Sequence, residues 1–145
     1  MGDLGKEIKS KFDNEWVKAL INIKYTSVYL DSVANKIFRP YNISEQQYNI
    51  LRILRGADKQ ITVNSVKERM IQKSPNSTRL MDKLCEKELI SRVRCESDRR
   101  VVYVEITKEG LDLLDKIDLR ELNEFARSLT EKEAKTLNRL LDKIR

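Results

Sequence analysis

The side chains of this protein best suited to chemistry are hydrogen-bond donors, and they gather in one stretch. From Ser74 to Thr107 the sequence reads SPNSTRLMDKLCEKELISRVRCESDRRVVYVEIT. Ser74 can cap a helix, and Pro75 fits its first turn, where the missing N–H costs nothing. That helix would carry Leu80, Met81 and Leu84 inward, leaving Asn76, Arg79 and Lys83 outside the apolar stripe. The planar fork of Arg79 can grip a guanine edge, and the amide of Asn76 can grip an adenine. The bland alternatives are an Arg79 paired with Asp82 and an Asn76 that decorates the first turn. A short strand around Leu89–Val93, a polar tip at Cys95–Arg100 and a second strand follow. In that second strand Val102, Val104 and Ile106 share one face by alternation. Arg99 and Arg100 sit together at the tip, where narrow minor grooves attract guanidinium groups. A helix polar at its outer N-terminal end, followed by a charged hairpin, suits duplex DNA, with the helix in the major groove and the hairpin along the neighbouring minor groove.

Composition narrows the other classes. The 145 residues make one domain able to bury a real core, and the formal charge of +6 favours a polyanionic partner. Residues 111–145 carry equal numbers of acidic and basic side chains, so the basic excess lies ahead of them. The chain has no histidine, which removes the commonest general base and zinc ligand. Cys85 and Cys95 stand alone without C-x-x-C spacing, so no zinc, metal cofactor or disulfide scaffold is indicated. They read as inert small hydrophobes, with a redox switch the alternative. No nucleophile–base pair, glycine-rich phosphate loop or suitable carboxylate pair is present, which argues against an enzyme. The N-terminus is too charged for a signal peptide, and no run reaches transmembrane length, so a cytoplasmic protein is expected.

Six further elements must position the polar stretch. Residues 1–12 read as a frayed, charged lead-in. A long helix then runs from about Asp13, with Trp16, Leu20, Ile23, Ser27, Leu30, Ala34 and Ile37 in three–four alternation, until Pro40 stops it. Its stripe is wide, which fits either a core helix or one shared with a second subunit. Ser44 and Gln47 form a capping box for the next helix, which Gly56 is expected to end near Ala57–Lys59. Gln60–Ile61 reads as a very short strand, and Thr62 caps a short helix over Val63–Met70. This helix, a tight turn and the helix from Ser74 make a helix-turn-helix. Beyond the hairpin one long helix is expected over Lys108–Leu129, and Thr130 with Glu133 caps a last one.

This order and spacing resemble the MarR family of winged helix-turn-helix regulators from about Asn14 onward. The sharpest likeness is Asp98-Arg99-Arg100, followed after an apolar strand by Thr107. Thr78-Arg79-Leu80 with Asp82-Lys83-Leu84 is a second likeness, and Leu89-Ile90-x-Arg92 a third. Glu88 departs from the pattern, standing where the family usually has a glycine, and Arg94 stands where a proline is common. The resemblance implies a mainly α fold with a small antiparallel β-wing. Residues 44–107 would form the DNA-binding lobe of a single domain, and 13–39 with 111–145 would be dimerisation helices. It implies a homodimer on a pseudo-palindromic operator, usually as a repressor. By position, Pro75, Asn76 and Arg79 would approach base edges, with Ser74, Ser77, Thr78 and Lys83 close to DNA. Arg100, beside Arg99, would enter the minor groove, and Asp98 would hold the wing by pairing with an Arg, Arg92 among the wing-structuring residues. Many members release DNA to a small aromatic or phenolic ligand. Trp16, Tyr25, Tyr29, Tyr41 and Tyr48 could line its crevice, or could be plain core. The competing reading keeps the fold but turns the recognition helix toward a protein partner, which would call for a more apolar face than Asn76 and Arg79 provide.

Overall fold

A computed structural model describes residues 2–73, 75–98 and 100–145 of the chain. Ser74 and Arg99, both singled out above, therefore lie outside the described residues. Short side chains write most of the helix starts. Asp3 accepts the N–H of Lys6 to open α1 (Leu4–Glu7), and Asn14 accepts that of Val17 to open α2 (Glu15–Phe38). The expected frayed lead-in is thus replaced by a turn of helix. Leu4 is buried, and Gly2, Leu4 and Glu7 share a hollow with Asn22, Tyr25, Thr26 and Tyr29 of α2. Past α2 the chain tightens into a 3-10 turn at Arg39–Tyr41, where Pro40 cannot continue the helix ladder.

The Ser44–Gln47 capping box is present in α3 (Glu45–Ala57), with bonds of 3.1 Å from the Gln47 N–H to Ser44 Oγ and 3.0 Å from the Ser44 N–H to Gln47 Oε1. It ends where expected, near Ala57–Lys59, but Gly56 is not the residue that closes it. The left-handed residue is Asp58, at φ 51°, a conformation that Asp tolerates better than most side chains. The short strand β1 is Ile61–Thr62, one residue later than expected, and Thr62 then caps α4 (Val63–Arg69) through the Ser65 N–H at 3.1 Å.

The next helix, α5, is Ser77–Glu86, with Asn76 at the cap position. It starts later than the Ser74–Pro75 pattern suggests, and Pro75 lies in the turn before it. It ends in a Schellman motif, in which the Leu89 N–H reaches the Leu84 carbonyl and the Glu88 N–H reaches that of Cys85. Glu88 occupies the left-handed position at φ 58°. The helix therefore closes as a glycine would close it, against the strain of a Cβ. Glu88→Gly is expected to stabilise the fold by about 1 kcal/mol, once the extra freedom of an unfolded glycine is offset. A thermal melt checks this, and an unchanged or lower midpoint would show the strain to be absent.

β2 (Ile90–Arg94) and β3 (Val102–Ile106) form the hairpin, and the sheet order is β1-β3-β2, antiparallel throughout. Thr107 caps α6 (Lys108–Lys116) through the Gly110 N–H and also donates from its hydroxyl to the Glu88 carbonyl at 2.7 Å. A Cβ at Gly110 would overlap the Leu89 carbonyl oxygen, so only glycine lets this helix cross the sheet so closely.

The expected single helix over Lys108–Leu129 is broken. It forms α6 (Lys108–Lys116) and α7 (Arg120–Arg127), with Ile117 in extended backbone between them. At the break the Tyr41 hydroxyl donates to the Lys116 carbonyl at 2.8 Å. Asp118 accepts the N–H and guanidinium of Arg120, and this pairing holds its carboxyl near a pKa of about 2. The apolar period continues through Leu114, Ile117 and Leu122, so periodicity alone conceals the interruption. Thr130 and Glu133 form the expected capping box of α8 (Glu131–Ile144).

The core is built on α3, which contacts α2, α4, α5, α6 and β3. Ile50, Leu51 and Leu54 pack with Val66, Met81, Leu84 and Val104, each at most 1% exposed. Of α2, only the C-terminal half supplies buried residues, namely Val33, Ala34 and Phe38.

Candidate nucleic-acid interface

Met81 and Leu84 plug α5 into the core and so determine which of its faces looks outward. Asn76, Arg79 and Lys83, spaced by three and four, are exposed along one side, with Pro75 and Thr78 beside them. Ser77 is different. It stands four residues before Met81 and seven before Leu84, so it shares their face and is 1% exposed. This register turns the hydroxyl inward, and its expected place close to DNA is corrected accordingly.

The wing is ordered through its backbone. Asp98 Oδ1 accepts the main-chain N–H of Arg100 at 3.0 Å, and the Asp98 carbonyl accepts the Val101 N–H at 3.0 Å. This is an Asx-type turn at the hairpin tip. Among the described residues Asp98 makes no ion pair and its carboxylate is engaged in this turn, while the neighbouring Arg99 lies outside them. Arg92 instead reaches α5. Its Nη1 lies 2.5 Å from Asp82 Oδ1, and its Nη2 donates to the Thr78 carbonyl at 3.3 Å. The Arg100 side chain is exposed. Between helix and wing lies a hollow of about 270 Å³ lined by Thr62, Asn64, Thr78, Arg92, Arg100 and Val102. A second recess, beside the start of α5, is lined by Lys67, Glu68, Lys73, Pro75 and Ser77, with one positive charge in excess. Two cationic recesses therefore flank one exposed row of polar side chains.

The profile of the SarA/Rot family of transcriptional regulators matches residues 32–117, more than half the chain. The protein belongs to this family. It is a winged-helix transcriptional regulator of the MarR type and not an enzyme. The transcriptional regulator MgrA of Staphylococcus aureus is 29% identical over 112 residues, covering 77% of this chain and 76% of that protein. A MarR transcription factor from Planctomyces limnophilus is 30% identical, covers 92% of this chain and 98% of its own, and superposes with a TM-score of 0.69. A mutant form of MarR from E. coli, solved in complex with operator DNA, is 25% identical with a TM-score of 0.76, over 99% of both chains.

In this MarR-type chain the five aromatic residues expected to line a ligand crevice separate into groups. Tyr25 and Tyr29 border the hollow against α1, and Tyr29 meets Phe125 edge-on with centroids 5.4 Å apart. Glu7 bonds to the Tyr25 hydroxyl and raises its pKa. Tyr48 instead stacks on Phe38 at 4.3 Å, and Tyr41 holds the α6 end. Trp16 is 82% exposed near the opposite end of α2 from Tyr41, roughly 30 Å away at 1.5 Å rise per residue. One chain does not gather them into a single crevice.

The cysteines also differ. Burial pushes the Cys85 thiol up, as expected of a small core hydrophobe. Hydrogen bonds from the Ser97 hydroxyl and from the main chain at Ser97 and Asp98 lower the pKa of Cys95 at the wing base. Sequence reasoning did not single out Asn64 or Gly110, and it met Asp82 as a partner for Arg79 and as part of the second likeness, without a role at the wing. The Asp–Arg complementarity of Asp82 and Arg92 was visible, but their contact depends on how the hairpin folds back on α5.

Proposed function

We propose that the protein binds duplex DNA as a homodimer and represses transcription from an operator with two inverted half-sites. The observation that carries this reading is the exposed row of Asn76, Arg79 and Lys83 beside the wing residue Arg100. Fork and amide donors on a helix suit base edges, and a guanidinium at a hairpin tip suits a narrow minor groove. The dimer is supported by apolar side chains left open on the flanking helices. Leu20 and Val28 of α2 are 58% and 62% exposed, and Leu137, Leu140 and Ile144 of α8 lie open as well. Such a surface calls for a cover, and a second copy supplies a matching one by symmetry. Residues 13–39 and 111–145 would thus form the dimer, residues 44–107 the reading lobe, in the cytoplasm. Relief by a small phenolic or aromatic acid would use the Tyr25–Tyr29 hollow, whose volume of about 410 Å³ suits such a ligand.

Two wing substitutions test the reading. Arg100→Ala should weaken binding and leave the fold alone. Asp98→Ala should also weaken binding, although it removes a negative charge facing DNA. Its carboxylate orders the tip through the Arg100 N–H, and reordering each freed residue costs about 1 kcal/mol or more, which outweighs one screened charge. Both are titrated against one duplex, with thermal melts as controls. Tighter binding by Asp98→Ala would refute the ordering role, and an unaltered Arg100→Ala would remove the wing from the DNA interface.

A further inference from the structure

The two reading elements come from different parts of the lobe, and one ion pair ties them together. Asp82 lies on α5 between the fully buried Met81 and Leu84. Arg92 lies on β2 directly opposite Val104, which is fully buried in β3. The core therefore fixes both elements at these two positions, while the hairpin beyond Arg92 is largely exposed. The Arg92 guanidinium spans one turn of α5, with Nη1 on the Asp82 carboxylate at 2.5 Å and Nη2 on the Thr78 carbonyl at 3.3 Å. It forms one wall of the hollow that separates helix and wing, with Asn64 and Arg100 on its other sides.

The pair is poorly placed to serve stability. The Arg92 side chain is 29% exposed and that of Asp82 46%, and ion pairs so open to water contribute little to folding. Simple electrostatics also places Asp82 badly, because a carboxylate at a DNA-facing surface repels phosphate and occupies a cation that could bind it. Geometry supplies what energy does not. A forked guanidinium bound to two acceptors one helical turn apart restricts how the hairpin can swing relative to the helix.

Building on the DNA-binding reading above, we infer that Asp82 is a positioning residue for sequence recognition, acting through Arg92. It holds the wing at one distance from α5, so that both elements enter adjacent grooves in register. It also keeps Arg92 from forming an untargeted phosphate contact. Asp82 therefore raises discrimination between operator and random DNA, at the expense of general affinity.

Asp82→Asn keeps the size of the side chain and removes its charge. With this variant, operator binding should fall about tenfold, as expected for a coupled pair. Binding to random duplex should stay level or rise, so the ratio between the two falls. Arg92→Gln should lower operator binding as well, and the double variant should bind no worse than the weaker single variant. Asp82→Glu, which restores the carboxylate, should recover most of the ratio. A general loss of folding would instead lower both affinities together, and a thermal melt of each variant separates that case. An unchanged or improved operator-to-random ratio in Asp82→Asn would overturn the positioning role, as would strictly additive losses in the double variant. If the unaltered protein itself fails to discriminate any duplex, the DNA-binding reading fails instead.

Discussion

The double variant Leu20→Asp with Leu137→Asp is expected to be a folded monomer that binds duplex DNA about 10²–10⁴-fold more weakly than the unaltered protein. Both leucines are open to solvent in the single chain, at 58% and 45% exposure, and neither belongs to the α3-centred core. Substitution at such surface positions ordinarily changes monomer stability by no more than about 0.5 kcal/mol. In a dimer, however, each Asp would bury a charge without a partner. Losing the dimer turns a linked pair of half-site contacts into a single one, and the magnitude is that of the lost effective concentration. Sedimentation with circular dichroism decides the matter. A double variant that stays dimeric would place the interface elsewhere, and an unaltered protein that is monomeric at micromolar concentration would remove the interface altogether.

A second large effect is expected from salt. Lys67, Lys73, Lys83 and Arg100 border the exposed row of α5 or its recesses, and a two-fold dimer doubles them. If about six to ten phosphates are neutralised, affinity falls by roughly 10³–10⁵ between about 50 and 200 mM salt. Arg100→Ala should then reduce the log–log slope by about two per dimer, one lost phosphate contact on each side. Affinity that barely changes over that range would contradict a phosphate-dominated contact and point to a protein partner for α5.

Local chemistry was the most legible part of the fold. The caps at Ser44 with Gln47, at Thr62, at Thr107 and at Thr130 with Glu133 depend on residues three apart, and each is present. Features decided across the fold were not legible. Ser74 and Pro75 satisfy the local rules for a helix start, yet the helix opens at Ser77, in register with the core contacts of Met81 and Leu84. The break after Lys116 depends on the Tyr41 hydroxyl, 75 residues away in sequence. Leu4 is buried because the N-terminus lies against the middle of α2, which its charged composition does not announce.

The candidate site divides in the same way. The exposed row of Asn76, Arg79 and Lys83 follows from helical spacing, and the tip Arg100 follows from the hairpin pattern. Ser77 was misplaced although its spacing of four and seven residues to Met81 and Leu84 already put it on their buried face. That Arg92 reaches Asp82 on α5 was not legible, because complementary charges in a sequence do not say which pair will meet.

The most direct test of the central claim is selection of bound sequences from a pool of random duplex DNA. If α5 and the wing read DNA as a two-fold pair, the enriched sequences carry inverted half-sites whose centres lie about one helical turn apart. A pool that shows no enrichment, or a single asymmetric half-site, would contradict it.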